Sequence, residues 1–132
     1  MMYNRWLEAL RGPDHYIKRM NSIIKERWLE ALRSNQYTKG KKALRSSDSF
    51  CCLGVLCDTL KDDVLPGYWR SAAAGLVRFH IKGSTESSLV IDLNNQVRAV
   101  TGLSDLHELR LMQLNDNSTT FEPVIAYIEK NL

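Results

Sequence analysis

The stretch "RSNQYTKGKKALRSSDSF", residues 33–50, concentrates groups that could hold a phosphorylated ligand. From Ala31 to Ser47 there is no acid, while Arg33, Lys39, Lys41, Lys42 and Arg45 supply five cations. Cations and backbone N–H groups hold phosphate, and an aromatic face stacks on a base. Tyr37 and Phe50 offer such faces, and Gly40 lets the backbone approach a ligand closely. The Gly-x-x-x-x-Gly-Lys-Ser/Thr spacing of a Walker loop is absent. The competing reading is a solvated basic loop. A second group lies in "LNDNSTTF", where Asn115 and Asp116 could present an amide and a carboxylate to a ribose or base edge. Asn in a left-handed helix cap and Asp in a turn would explain the same letters structurally. The candidate ligand set is therefore Arg33, Lys39 and Arg45 for phosphates, Tyr37 or Phe50 for a base, and Asn115 with Asp116 for ribose or base edges.

Other chemistry finds less support. His15, His80 and His107 are scattered, and none stands at ligand-like spacing from Cys, Asp or Glu. Cys51, Cys52 and Cys57 share one apolar segment, and residues at i, i+1 and i+6 of a helix do not converge on a metal. They read as reduced thiols buried in a core. Asp62-Asp63 look solvated beside a turn, and Asp105 with Glu108 share what reads as an exposed helix face. No catalytic residue, metal ligand or cofactor is assigned.

The elements that would position the ligand set follow from periodicity. With 132 residues, 44% hydrophobic and 25% charged, the chain can bury one core and little more. A net charge of +3 suits a phosphate-bearing ligand but is weak support for a duplex-DNA binder, so nucleic acid is not favoured. No apolar run reaches a membrane span, and no signal pattern opens the chain, which predicts a cytoplasmic protein. Ile17, Met20, Ile24, Trp28 and Ala31 form one apolar stripe and predict a helix from Asp14 to Arg33. Residues 34–49 read as a loop. "CCLGVLCDTLK" predicts a helix capped by Ser47 or Asp48, with a buried strand as the rival. "GLVRFHI" and "SLVIDL" predict a two-stranded hairpin. Asp92 and Ser104 are placed as caps of two further helices, Gly102 as the stop between them, and Thr120 as the start of the last helix. The expected fold is α+β and mainly helical, with about five helices and a small antiparallel β-hairpin within residues 68–93.

"RWLEALR" occurs at residues 5–11 and again at 27–33. The second copy continues into "SNQYTKGKKALRSSDSFCCLGVLCDTL", followed much later by "LMQLNDNSTTFEPVIAYIE". These blocks resemble a family of small proteins encoded by tailed phages and prophages, over about residues 21–60 and 92–132. The resemblance singles out Trp28, Arg33, Tyr37, Arg45, Phe50, Cys51, Cys52, Asn115 and Asp116. It implies a phage-encoded counter-defence protein in the cytoplasm of an infected host cell. The expected activity is non-catalytic: binding and sequestering a small anionic nucleotide-derived immune signal, of the cyclic ADP-ribose or cyclic dinucleotide type. One alternative is inhibition of a host enzyme through the N-terminal amphipathic helix, and another is a nucleotide-cleaving enzyme. The resemblance also makes Met20 the start of the working body. Residues 1–19 then form a helical extension that duplicates a core-forming face, which predicts a homo-oligomer, with residues 20–132 as one compact domain.

Overall fold

The computed structural model describes residues 20–84, 88–90 and 92–132. The expectations placed on residues 1–19 lie outside the described residues. The fold is α+β, with five α-helices and one five-stranded sheet among the described residues.

The centre is α2, Cys52–Leu60, preceded by α1, Ser22–Arg33. Seven of the nine residues of α2 are buried, from Cys52 through Cys57 and again at Leu60. A helix that is apolar all round has no water face to offer and must be covered on every side. Here α1, the sheet strand β3 (Ser49–Phe50) and α4 (Asp105–Asp116) cover it. The helical reading of "CCLGVLC" therefore holds, and the three thiols lie in the core. Gly54 permits the closest approach, because a Cβ there would overlap the Leu44 carbonyl group. The final helix α5, Glu122–Asn131, packs on α1 and α4.

Several expected boundaries move. Helix α1 begins at Ser22, because Asn21 caps it and its Oδ1 accepts the N–H groups of Ile23 and Ile24. The apolar stripe thus does not run as one helix through Met20, although Met20 is itself buried. Helix α3, Asn95–Thr101, is capped by Asn94 and not by Asp92, and Gly102 ends it in the left-handed conformation at φ 79°. Ser104 caps α4 as expected, its hydroxyl accepting from His107 N–H. Thr120 lies just before the first turn of α5, and its hydroxyl accepts the N–H of Glu122.

The segment read as a loop holds three two-residue strands, β1 (Thr38–Lys39), β2 (Arg45–Ser46) and β3. They extend a hairpin of β4 (Gly67–Ser71) and β5 (Leu76–Ile81) into a sheet of order β1-β3-β2-β5-β4. Only β1 and β3 run parallel. The hairpin pairs "GYWRS" with "LVRFHI", whereas Leu89 of the expected second strand makes a single bridge to Phe79. A short four-residue connection through Ala72–Gly75 closes the pair at less entropic cost than the longer segment after Ile81. Alternation along the strands turns Trp69, Val77, Phe79, Arg45 and Phe50 to the α2 side. Tyr68, Arg70, Arg78 and His80 take the opposite face.

Candidate functional site

The short strands and the segment after α1 bring Arg33, Tyr37 and Lys39 to one cleft of about 350 Å³. Thr119, Thr120 and Glu122 form its other wall, at the start of α5. The N-terminal end of a helix carries partial positive charge from unpaired N–H groups. The cap residue Phe121 makes no side-chain cap bond there, while the Thr120 hydroxyl accepts the Glu122 N–H. Desolvation, then the neighbouring Lys41, hold the Lys39 ammonium below the usual lysine value, with Asp116 working in the other direction. A bound anion would reverse that shift, because an opposite charge favours the ammonium form. Arg33 pairs with Glu129 across α1 and α5, at the exposed edge of the structure. Glu122 is the one carboxylate in the cleft wall and opposes an anion.

Tyr37 stands between this cleft and a second one of about 330 Å³, lined by Arg27, Glu30, Ser34 and Thr59. Its hydroxyl donates to Asp58 at 2.5 Å. Burial first, then the Asp58 hydrogen bond and charge, push the phenol from 10.0 up to about 12. Tyr37 is therefore a neutral donor near neutral pH, with its ring available to both clefts.

The other members of the expected ligand set are occupied by the protein itself. Phe50 lies edge-on between Tyr37, 5.0 Å away, and Trp69, 5.7 Å away, and is buried there. The Arg45 guanidinium lies 4.8 Å over the Phe50 ring and 5.5 Å over Trp69, with its Nε donating to the Ser47 carbonyl. Such a stack satisfies the cation through the ring quadrupole and keeps it on the inner face of the sheet, away from the cleft. Asp58, which sequence reasoning missed, accepts from both Tyr37 and Trp69 Nε1 and lies 3.9 Å from Lys61 Nζ. Its signal was an acid inside an otherwise apolar helix, "VLCDTL".

Asn115 is wholly buried, and its amide is used at both ends. Oδ1 accepts the N–H of Cys52 at the start of α2, and Nδ2 donates to the Gly40 carbonyl and to Asp116. Asp116 in turn accepts the N–H of Lys42, whose backbone sits at φ 66°. Neither residue lines the cleft, and neither takes the left-handed cap conformation. Together they clip the basic segment to the end of α4. The acids at the start of α4 also depart from expectation. Glu108 is buried and accepts two bonds from Arg98 of α3, while only Asp105 stays exposed.

The thiols are chemically quiet. Burial pushes Cys51 up to about 11, and it pushes Cys52 and Cys57 upward as well. Among the described residues, no three His, Cys, Asp or Glu side chains come together as a metal site, and no helix is long and apolar enough to cross a membrane.

Compared with known proteins, the chain matches no curated protein and no solved structure. A family model does match, over residues 20–132, and it spans all the elements just described. The chain belongs to that family, the domain of unknown function DUF8296.

Proposed function

We propose that the protein binds a small phosphorylated, base-bearing ligand in the cleft between Arg33, Tyr37, Lys39 and the start of α5, and withholds it from other proteins. The observation that carries this reading is the convergence of those three residues on one cleft. Its volume lies within the range of small-molecule sites. Lys39 and the α5 terminus would take phosphate, Arg33 would exchange Glu129 for the ligand, and the Tyr37 ring would stack on the base. A phenol held up at about 12 and donating to Asp58 stays protonated and is no general base near neutral pH, which favours binding over turnover. In the phage setting that the sequence blocks resemble, the ligand would be an immune signal of the cyclic ADP-ribose or cyclic dinucleotide type.

Thermal shift and calorimetry of the full chain against ADP-ribose derivatives and cyclic dinucleotides test the reading. Stabilisation by at least one ligand is expected, to be lost in Lys39→Ala and strengthened in Glu122→Gln. If no ligand of the panel stabilises the protein, or if Lys39→Ala binds as wild type, the reading fails.

A further inference from the structure

The outward face of the sheet carries a second set of groups that the cleft does not use. Outward positions run Thr38, Ser49, Ser46 and Leu76 across the short strands, then Arg78 and His80 on β5 and Arg70 and Tyr68 on β4. No carboxylate occupies any of these positions.

Arg70 and Arg78 are direct cross-strand partners, and both are exposed. Like charges placed directly opposite one another weaken a strand pair. Among the described residues neither arginine has an acid partner to offset that repulsion. Two register steps away on the same face, Tyr68 and His80 are also direct partners, stacked at 5.1 Å with 10° between their planes. Tyr68 remains 45% exposed, so the outer side of its ring is open to a further layer. Beside the stack lies a cavity of about 330 Å³ lined by Tyr68, His80, Lys82, Ser88 and Asn94. The His80 Nε2 is buried and has no hydrogen-bond partner among the described residues. A buried unpaired ring nitrogen is costly, and a hydrogen-bonding group arriving in the cavity would satisfy it.

We infer that this face binds single-stranded nucleic acid. One base extends the Tyr68–His80 stack, and Arg70 and Arg78 take neighbouring phosphates. The base edge reaches into the cavity, toward His80 Nε2 and the Asn94 amide. An unpaired strand is the fitting partner because open aromatic faces require unstacked bases, which a duplex does not present. The charge pattern excludes a cationic partner and matches a polyanion. The site lies on the opposite side of the sheet from Lys39, so the cleft and this face are separate and can fail separately.

Fluorescence anisotropy with labelled single-stranded oligonucleotides about 12 nucleotides long, one RNA and one DNA, tests the inference on the full chain. Binding is expected at roughly 50 mM salt, with log K falling linearly as log salt rises. The double variant Arg70→Ala/Arg78→Ala should melt at or above the wild-type temperature, since it removes a repulsion. It should also make the salt slope shallower by about 1.4, the value for two phosphate contacts on a single strand. Tyr68→Ala should weaken binding by about tenfold or more, and Lys39→Ala should leave it unchanged. Preference for RNA or DNA would identify the source of the strand. Absence of binding at low salt, unchanged binding by the double arginine variant, equal affinity for a duplex, or equal affinity for poly-glutamate would each overturn the inference.

Discussion

Asn115→Ala separates a structural clip from a ligand contact, and its cost can be worked from the contacts. Truncation removes the acceptor for Cys52 N–H, a donor in a wholly buried helix start. A buried amide left unpaired costs about 1–3 kcal/mol. The Gly40 carbonyl loses its 3.0 Å donor and keeps only a long contact to Lys39 Nζ, at about 1 kcal/mol more. Asp116 can turn to water, so its share is small. The sum is about 3 kcal/mol, a large part of the 5–15 kcal/mol typical of a domain. Urea unfolding followed by tryptophan fluorescence reads it, Trp28 being fully buried. With a slope of about 1–3 kcal/mol per molar, the midpoint should fall by about 1–3 M at unchanged slope. Asn115→Asp retains the acceptor but sets a carboxylate against the Gly40 carbonyl and Asp116. Its destabilisation should therefore ease as pH falls and that carboxyl protonates. A midpoint shift below about 0.3 M for Asn115→Ala would refute the clip, being worth under about 1 kcal/mol. Ligand binding lost at full stability would return Asn115 to the ligand set.

Gly54→Ala opposes two effects of known sign. Helix propensity alone favours alanine by about 1 kcal/mol, while overlap with the Leu44 backbone costs about 3 kcal/mol, so a lower melting temperature is expected. A rise would show that α2 does not press on Leu44. Tyr37 ties stability to alkaline pH. Its folded value of about 12 exceeds the unfolded 10.0, so its contribution is complete below pH 10 and is lost as pH rises toward about 12. Phenolate absorbance of wild type should include a titration near 12 that Tyr37→Phe lacks. Tyr37→Phe should be less stable than wild type at pH 8, with the difference shrinking above pH 10. If the titration that Tyr37→Phe removes lies near 10, the Asp58 hydrogen bond is not formed in solution. The cysteines should react with a thiol reagent only as fast as the protein opens, since burial raises all three and denies access. Labelling that is fast at neutral pH and independent of added urea would contradict a buried α2.

Residues whose partners are near in sequence, or whose burial follows from composition alone, were legible before the structure. "CCLGVLC" has no polar side to present, so its burial follows from the letters, as do the Ser104 cap and the Gly102 stop; helix against buried strand is decided by the structure, with Cys51 and not Ser47 or Asp48 at the cap position. Two-residue strands carry no period to read, and for that reason the sheet edge in residues 38–50 reads as loop from sequence. The Asp14–Arg33 stripe misleads in the opposite way over its described part, because Asn21 starts the helix as its cap while the apolar spacing runs on through Met20.

The candidate site shows why a basic, aromatic segment is an ambiguous signal. Arginine, tyrosine, phenylalanine and asparagine serve a ligand through the same groups that fasten a loop: a fork of donors, a ring face, a paired amide. Arg45 and Phe50 are strand partners of each other and both pack against Trp69, the neighbour that sequence distance conceals. Asn115 lies 63 residues from Cys52, yet it supplies the capping acceptor that the residue preceding α2 lacks, since Cys51 makes no side-chain cap bond. A helix start without its own cap, followed far downstream by a buried amide, is a pairing that single-sequence reasoning can pose but not decide. What distinguishes Arg33, Tyr37 and Lys39 is their place at the margin: Arg33 ends α1, Tyr37 precedes β1, and Lys39 lies on β1, the edge strand of the sheet, beside the start of α5. Their place on the cleft wall is thus a consequence of position at the sheet edge. Moving the aromatic–arginine stack outward by weakening it, as in Arg45→Ala, should loosen the cleft wall without removing any group that lines the cleft.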